Sequence, residues 1–571
     1  MSDRQLANSQ LGSLEYDPAP ESAGIAKLKA SYGLFIDGRF TEAEDHQQFA
    51  TVNPAHERRL RALASELRPD AFVSVSHEIS PTVGEYARMS TTAANAALGP
   101  LAGRYLAKLE STLRDAGMKA PVMMMTCSGG VMPTALIHDR PAFALFSGPA
   151  AGVMGSQVLG AQMGLSNILT TDIGGTSFDV GVIVEGRPVM RSEISVAGAD
   201  IRVLSIDVDS IGAGGGSIAS VRGDRELQVG PRSAGSTPGP ACYGRNGVEP
   251  TATDADLVLG VLDPETFLGG RMRLDVEAAR RAIDEHIARP LGLGVIEAAW
   301  GIRKILDSRM ADLLRRMTVQ RGYDPRDFTL FANGGAGPSH AWVLSSELGL
   351  DGFVVPAAAT VQSAYGSANA HVGFTTERPA YVRLAARRAP TSEELDLLNA
   401  RLQSALAEVS ENLQRAKATD NVAIERYVSI RFRGQTNHLD VPVSTERFGP
   451  EDFAAMTALF QRQYEAQFGR GASYANAGFE VLAVRVVGIA KLPPSGSRMK
   501  GAEPTRIGTR DVVFEDPARP VATAIYATSF PAPGSQIAGP AIIEFPGQSV
   551  VIPPGASAKA DDLGNLHVRI R

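Results

Sequence analysis

The chain has 571 residues, a formal net charge of −6 and two cysteines, Cys127 and Cys242. At roughly one domain per 150 residues this length predicts two to four domains, and the mild acidity without a block of Lys and Arg argues against nucleic acid or an acidic membrane as a partner. Two cysteines do not make a disulfide framework, and the polar start of the chain has no secretory signal, so we expect a cytoplasmic protein. No stretch is apolar enough to span a membrane. Small-molecule chemistry is the function class that remains.

Residues 1–59 form an appended N-terminal segment in the predicted domain organisation. Leu34-Phe35-Ile36 and Phe40 flank Asp37-Gly38, which is typical of a turn between two short strands. The stretch YGLFIDGRFTEAEDHQQFATVNPA resembles the N-terminal hairpin of aldehyde dehydrogenases. Neither the cofactor fold nor the catalytic cysteine of that family follows, so no dehydrogenase function is expected.

Alternating strands and helices predict an α/β domain over residues 60–378. Apolar residues recur at helical spacing between Val295 and Met317, which indicates a long helix facing the core. A second helix, rich in alanine, follows Ser90. We expect strands at residues 71–75, 122–126, 168–171, 178–184, 328–332 and 353–355.

The last part of the chain is predicted to hold two smaller modules. An α+β module over residues 379–492 would contain helices at 393–416 and 453–468 and strands at 427–432 and 480–487. Residues 493–571 are rich in Pro and Gly, and short strands at 541–545 and 549–552 predict a small β domain there.

The turn TTDIGGTSFD between two predicted strands is the first candidate site. Gly174 and Gly175 would let backbone N–H groups approach a phosphate, and Thr176 would donate to a phosphate oxygen. Asp172 would hold magnesium through water or orient an attacking water. The pattern is typical of the phosphate hairpin of actin-like kinases and chaperone ATPases. A tight hairpin whose aspartate caps its own turn is the alternative interpretation.

The loop NGGAGPSH (333–340) joins a predicted strand to a predicted helix. Gly334, Gly335 and Gly337 would open a helix N-terminus, whose free N–H groups and positive dipole end suit the ribose or phosphate of a nucleotide. No Gly-Lys-Ser/Thr follows, so this is not a Walker loop. A glycine turn required only by packing is the alternative.

The loop GAGGGS (212–217) is the third candidate. Ser217 stands where a dinucleotide fingerprint needs its third glycine, and a strand follows instead of a helix, so a Rossmann site is rejected. Contact with phosphate or substrate through the amides of Gly214 and Gly215 remains open beside a purely structural loop.

Other residues give weaker signals. Cys127 and Cys242 are expected to be buried, inert thiols. Asp254 and Asp256 would form a metal pair, or Asp254 would cap a helix, and the helix cap is favoured. The nine histidines are scattered, which does not predict a structural zinc site.

From residue 60 to the C-terminus the sequence resembles the hydantoinase/oxoprolinase family, as its A-type subunit. The resemblance rests on SHEISP (76–81), STTAANAALGPL (90–101), SGPAAGVMG (147–155), TTDIGGTSFDVG (171–182), DSIGAGGGS (209–217), GSTPGPACYGRNGVEPTATDADLVLG (235–260), RGYDPRDF (321–328), NGGAGPSHA (333–341), FRGQTNHLDV (432–441) and GPAIIEFPGQSVVIPPG (539–555). It implies an actin-like ATPase core that uses ATP and Mg²⁺. TTDIGGTS would be its second phosphate loop and NGGAGP its adenosine loop.

Two positions depart from the family pattern. Members normally carry an earlier Asp-x-Gly-Gly-Thr turn, the first phosphate loop, and Asp37-Gly38 lacks the second glycine and the threonine of that turn. The expected fold is therefore an actin-like core without its first lobe. Asp209 stands where members often carry a histidine before the glycine-rich loop.

The resemblance implies three candidate functions. The first is ATP-dependent opening of a cyclic amide of the hydantoin or 5-oxoproline type, with a hydantoinase B-type subunit or a second copy of the chain as partner. The second is a subunit of an acetone- or acetophenone-type carboxylase. The third is a non-catalytic relic or assembly subunit, because losing half of the phosphate contacts would cost orders of magnitude in rate.

Overall fold

The computed structural model describes residues 34–36, 39–41, 54–81, 85–196, 198–223, 225–386, 388–435, 438–469, 471–492 and 501–570. The chain separates into two compact units, residues 1–69 and 70–571. In the first unit, β1 (Leu34–Ile36) pairs antiparallel with β2 (Arg39–Thr41), and helix α1 covers Pro54–Leu67. The strand pair is as predicted, whereas the predicted turn at Asp37-Gly38 lies outside the described residues.

The second unit has a mixed α/β fold, as the sequence predicts. Its α-helices are α2 (Ser76–Ile79), α3 (Glu85–Asp115), α4 (Thr134–Asp139), α5 (Ser147–Met163), α6 (Ala252–Val258), α7 (Val276–Ile283), α8 (Arg289–Leu291), α9 (Val295–Met317), α10 (Gly337–Leu348), α11 (Gln362–Asn369), α12 (Ser392–Arg415) and α13 (Pro450–Phe468).

Its strands fall into several sheets. They are β3 (Met123–Met125), β4 (Val131–Pro133), β5 (Ile168–Ile173), β6 (Phe178–Val184), β7 (Arg187–Pro188), β8 (Met190–Arg191), β9 (Ile194–Val196), β10 (Ala199–Ile201), β11 (Ser205–Ile206), β12 (Val208–Ile211), β13 (Ser217–Arg222), β14 (Glu226–Ser233), β15 (Thr329–Asn333), β16 (Gly352–Val355), β17 (Val372–Leu384), β18 (Val422–Phe432), β19 (Leu439–Pro442), β20 (Phe479–Ala490), β21 (Thr505–Val512), β22 (Val521–Ala527), β23 (Gln536–Ala538), β24 (Ala541–Phe545), β25 (Gln548–Ile552), β26 (Ser557–Ala560) and β27 (Leu566–Arg569).

A nine-stranded sheet with the order β12-β6-β5-β15-β16-β27-β26-β23, and β7 beside β6, forms the middle of the unit. β5, β15 and β16 run parallel at its centre. Alternate side chains of these strands face opposite cores: Ile168 and Phe331 pack with α5, whereas Leu169 and Leu330 pack with α9. Because both faces of the sheet are covered, the sequences of these strands are mainly apolar and do not alternate between apolar and polar residues.

A six-stranded sheet, β19-β18-β20-β17-β4-β3, forms a second layer. One of its faces packs against α12 and α13 through apolar residues such as Val428, Phe432, Val484 and Phe460. The helices and strands predicted between 379 and 492 are confirmed. β3 and β4, from much earlier in the chain, complete the sheet.

The C-terminal strands divide between two sheets. β21, β22, β24 and β25 make a four-stranded sheet, while β23, β26 and β27 extend the nine-stranded one. The β character predicted for this segment is confirmed, and antiparallel pairing of β27 with β16 joins it to the central sheet.

One predicted strand is wrong: residues 71–75 have no regular secondary structure. This segment lies along α3, where Asn95 Nδ2 donates to Ser74 Oγ at 3.0 Å and Phe72 packs over Gly99. The helix side chains supply the contacts that a neighbouring strand would have supplied. No helix among the residues described in the structure combines the length and the apolar character needed to cross a bilayer.

Candidate active site at the carboxyl ends of β5 and β15

The two predicted turns meet at one edge of the central sheet. In the parallel pairing of β5 with β15, Asp172 lies opposite Asn333, so the turns that follow these strands are neighbours. The Ala336 N–H donates to the carbonyl of Ile173 at 3.1 Å, which ties the second turn directly to the first. The crevice outside the carboxyl ends of parallel strands is where open α/β sheets bind ligands.

Gly334 is required by this close approach. Its φ is +84°, and a Cβ added there would lie 2.5 Å from Asp172 Oδ1. Any other residue would have both a strained backbone and a clash with the aspartate. The Gly334 N–H donates to the carbonyl of Ala359 at 2.8 Å, which holds the turn from its other side.

Gly174 and Gly175 are glycines for a different reason. Neither has a φ in the left-handed region, and a Cβ added to either would meet no atom within 4 Å. The Gly174 N–H closes the hairpin by donating to the Ser177 carbonyl at 3.1 Å. Within the described part of the chain, the N–H groups of Gly175 and Thr176 make no hydrogen bond. Neither packing nor backbone strain explains these glycines, and the absence of side chains leaves room for a ligand to approach the backbone closely.

The third glycine loop lies behind the first and supports it. The N–H groups of Gly215 and Gly216 donate to the carbonyls of Gly174 and Gly175 at 3.0 and 2.7 Å. A Cβ at Gly214 would lie 2.7 Å from the Gly174 carbonyl oxygen, and the Gly214 N–H donates to Ser217 Oγ at 2.9 Å. The amides of Gly214 and Gly215 are therefore already used within the protein, and this loop fixes the shape of the turn at Gly174 and Gly175.

Two carboxylates face each other at the base of the turn. Asp172 pairs across the hairpin with Asp179. Burial, together with the negative charge of Asp179, raises the pKa of Asp172 to about 6. Burial also raises the pKa of Asp179, although hydrogen bonds from Ser210 and Ser177 oppose the shift. Two negative charges held close together and partly buried favour the binding of a cation beside them.

Sequence reasoning overlooked Asp179. The signal for it was present, because a strand–turn–strand hairpin places residues at matching distances from the turn directly opposite one another. In TTDIGGTSFD, Asp172 and Asp179 are equally far from the centre of the four-residue turn GGTS.

The donor set suits magnesium better than zinc. No group of three or more His, Cys, Asp or Glu side chains comes together within metal-binding reach in the described ranges. Mg²⁺ is commonly held by one or two carboxylates, with water and phosphate oxygens filling its other positions. The buried Oδ1 of Asn333, beside Asp172, has no hydrogen-bond partner in the described structure. A polar group left unpaired at this edge fits a site that a ligand completes.

Helix α10 begins at Gly337, immediately after the Gly334 turn. Gly335 is exposed beside the turn and Gly337 is buried at the first helical position, with Pro338 following it. The N-terminal end of this helix, which carries partial positive charge, therefore lies at the same sheet edge as Asp172 and suits an anionic or polar ligand group.

A buried network of charged side chains contacts the first turn of α10. Arg303 Nη2 donates to the Ser339 carbonyl at 2.5 Å and pairs with Asp256, while His340 Nδ1 lies 2.5 Å from Asp307 Oδ1. Burial alone lowers the pKa of His340, but Asp307, assisted by Asp256 against the charge of Arg303, raises it to about 9. No local sequence signal marks the roles of His340 and Arg303 in this network, because Asp256 lies 47 residues from Arg303 and Asp307 lies 33 residues from His340.

The weaker candidates have structural roles. Asp254 accepts hydrogen bonds from the N–H groups of Cys242 and Thr251, both at 2.8 Å, and forms a capping box with Thr251 at the start of α6. The helix-cap interpretation is confirmed, and Asp256 pairs with Arg303 instead of forming a metal pair. Both cysteines are buried, and burial raises the pKa of Cys127 to about 12, so neither is an activated nucleophile.

An acidic glycine hairpin and a glycine-opened helix at one sheet edge are features typical of sites that bind phosphorylated ligands. Comparison with known proteins specifies the family. The Hydantoinase/oxoprolinase family model matches residues 88–376, and the model of the family's C-terminal domain matches residues 386–570. The chain belongs to the hydantoinase/oxoprolinase family.

Several characterised relatives match most of the chain. The caprolactamase subunit alpha of Pseudomonas jessenii is 33% identical over 554 residues, which is 96% of this chain and 78% of the relative. The acetophenone carboxylase gamma subunit of Aromatoleum aromaticum is 34% identical over 542 residues, covering 90% of this chain and 72% of the relative. The crystal structure of the ATP-dependent caprolactamase from Pseudomonas jessenii superposes with a TM-score of 0.80 at 32% identity, covering 90% of this chain and 75% of that one. The family thus includes both cyclic amidases and carboxylase subunits.

Proposed function

We propose that the protein is one subunit of an ATP-dependent hydrolase that opens a cyclic amide of the hydantoin or 5-oxoproline type. The observation that carries the proposal is the convergence of the Asp172 turn and the Gly334 turn at one sheet edge. Similarity to a structure described as an ATP-dependent caprolactamase supports nucleotide use and amide chemistry.

In this proposal each turn has its own task. The unoccupied N–H groups of Gly175 and Thr176, with Gly174 completing the turn, bind phosphate oxygens. Asp172, with Asp179 beside it, holds Mg²⁺ and orients the attacking water. Gly334, Gly335 and Gly337 border the nucleoside, and Gly214 and Gly215 keep the phosphate turn rigid from behind. ATP, when bound, supplies the phosphoryl group that activates the amide oxygen.

We propose that a hydantoinase B-type subunit or a second copy of the chain takes part in the complete enzyme. Both the caprolactamase and acetophenone carboxylase relatives are named as subunits, which supports a complex.

A carboxylase subunit is the second candidate. The acetophenone carboxylase gamma subunit is as similar to this chain, at 34% identity, as the caprolactamase subunit is at 33%. The shared site chemistry serves both reactions, because phosphoryl transfer to an amide oxygen, an enolate or bicarbonate needs the same phosphate and magnesium contacts.

Products separate the two candidates. The full chain, alone and with a hydantoinase B-type subunit, is incubated with ATP, Mg²⁺ and either 5-oxoproline or acetophenone, with and without bicarbonate. Amide-dependent ATP hydrolysis and a ring-opened amino acid are expected, whereas a bicarbonate-dependent keto acid would establish the carboxylase instead. Asp172→Asn should abolish turnover, and the exposed Asp312→Asn should not. Absence of ATP binding by calorimetry in every preparation would leave only a role in assembly.

A further inference from the structure

The six-stranded sheet has a second face that is buried and charged. Its residues alternate in the usual way, so that Val428, Ile430 and Val484 face the helices while Ser429 and Arg485 face the other side. A solvated polar face would explain such alternation. Ser429, Glu480 and Arg485, however, are each only 5% exposed. Charged groups removed from water need partners or a ligand.

A cavity of about 240 Å³ lies on this face. Ser192 and Arg202, which are not part of the six-stranded sheet, also line it. Its charged and titratable lining residues are Arg202, Glu377, Tyr381, Arg431, His438, Asp440 and Arg485. The cavity is thus bounded by elements other than the two turns at Asp172 and Gly334.

Arg485 is incompletely paired in this cavity. Its Nη1 donates to Asp440 Oδ2 at 2.7 Å, and its guanidinium lies 4.9 Å from the ring centroid of Tyr427. Its Nε is buried and has no hydrogen-bond partner in the described structure. Arg431, by contrast, directs Nε and Nη2 to Glu480 at 2.9 and 2.8 Å. An unpaired buried donor destabilises the protein unless a ligand accepts from it.

The charges around the cavity indicate the sign of that ligand. The cavity wall carries three arginines, Arg202, Arg431 and Arg485, and two carboxyl groups, Glu377 and Asp440. A carboxylate complements a wall on which arginines outnumber carboxyl groups, and a flat guanidinium edge matches carboxylate geometry.

We propose that this cavity is a binding site for a small organic monocarboxylate, whose carboxylate accepts from the Nε edge of Arg485. The volume of the cavity admits a ligand of about ten non-hydrogen atoms at most. The site does not rest on nucleotide use, since none of its residues belongs to the glycine turns. The hydroxyl and imidazole groups of Ser192, Ser429 and His438 on the cavity wall suit a ligand with a neutral polar end.

Saturation-transfer difference NMR on the full chain without nucleotide tests the site. Two matched pairs of probes, 5-oxoproline with 2-pyrrolidinone and acetate with acetamide, differ within each pair by having or lacking a carboxylate. Saturable binding of a carboxylate, with its neutral partner at least tenfold weaker, is expected, because a hydrogen bond to a charged group contributes about that factor or more. Inorganic phosphate serves as a competitor, and displacement of the carboxylate by equimolar phosphate would show a general anion site and overturn the proposal.

Three variants locate the binding. Arg485→Gln should abolish carboxylate binding. Ala483→Leu, which fills the cavity without changing any charge, should also abolish it and keeps the test decisive where Arg485→Gln does not fold. Asp172→Asn should bind the carboxylate as the parent does. Binding lost in Asp172→Asn but retained in Ala483→Leu would place the carboxylate in the nucleotide cleft and refute this site. Equal binding of both members of each probe pair would refute it as well.

Discussion

A Cβ placed on Gly334 would lie 2.5 Å from Asp172 Oδ1, so these two residues, far apart in sequence, form one corner of the proposed cleft. The contact is a consequence of parallel pairing between β5 and β15, which aligns the ends of both strands. It makes the aspartate and the helix-opening turn a single structural feature.

Replacement of Gly334 by alanine should destabilise the protein more than the same replacement at a glycine of similar φ without crowded neighbours. Gly334→Ala places a methyl group against the Ile173 carbonyl and Asp172 at a φ of +84°. Gly349→Ala is the matched control, because Gly349 has a φ of +73° and no atom within 4 Å of an added Cβ. The control should lose about 1–2 kcal/mol in urea unfolding, and Gly334→Ala should lose clearly more. Equal losses would mean that the crowding seen at Asp172 is relieved without cost.

Gly175→Ala should separate binding from stability. An added Cβ at Gly175 meets no atom within 4 Å, so the melting temperature should stay within about 2 °C of the parent. The methyl group would occupy the space proposed for phosphate, and ATP affinity measured by calorimetry should fall at least about tenfold. Gly148→Ala, also without nearby atoms, is the control and should alter neither property. Normal ATP affinity in Gly175→Ala would remove the phosphate from this turn.

Asp172→Asn should stabilise the fold while it removes function. The pKa of Asp172 is raised from 3.8 to about 6, so the folded protein holds this proton more tightly than the unfolded chain does. Ionisation therefore costs stability as pH rises from about 4 to 6, and the loss persists above that range. Near pH 8 the variant should be more stable by roughly 1–2 kcal/mol, after allowance for screening by solvent.

The same pKa gives a binding test. Mg²⁺ binds the ionised carboxylate, so Mg·ATP affinity of the parent should rise between about pH 5 and 7 and then level off. Urea unfolding and calorimetry across this range measure both effects. A variant that is less stable than the parent at pH 8, or one that keeps the affinity for Mg·ATP, would contradict the assignment of Asp172.

Patterns within short stretches of sequence correctly predicted those helices and strands whose formation depends on neighbouring residues. Helix α9 begins and ends at Val295 and Met317, as the apolar spacing indicates, and strand β6 covers the predicted residues Phe178–Val184. Strand order depended on contacts distant in sequence. Nothing near SGPAAGVMG shows that its small residues serve helix packing, yet a Cβ on Gly366 of α11 would overlap the carbonyl of Ala151 in α5.

In the candidate site, too, features set by nearby residues were predictable, whereas features set by contacts distant in sequence were not. The glycine turns were recognisable because their spacing and composition are local. Their roles were not distinguishable, since only the fold shows that the Gly214 loop donates to the carbonyls of Gly174 and Gly175 whereas Gly175 itself faces open space. The network at His340 was missed because Asp256 and Asp307 come from two other helices.

The buried pair of His340 and Asp307 should make the protein sensitive to alkaline pH. With its pKa raised from 6.5 to about 9, His340 holds its proton more tightly in the folded state. Its contribution to stability is complete below about pH 6.5 and disappears as pH rises through 9, a loss of up to roughly 3 kcal/mol. Urea unfolding of the parent at pH 6.5, 8 and 9.5 should show this decline.

Asp307→Asn should change the shape of that pH profile. Asparagine keeps an acceptor oxygen but removes the negative charge beside the buried, protonated His340, so the variant should be about 3 kcal/mol less stable at pH 6.5. Because the parent loses the same interaction on deprotonation of His340, the two proteins should approach equal stability above about pH 9. The exposed His286→Asn is the control and should follow the parent throughout. Parallel profiles for Asp307→Asn and the parent would show that His340 is neutral in the fold and that Asp307 acts only through packing.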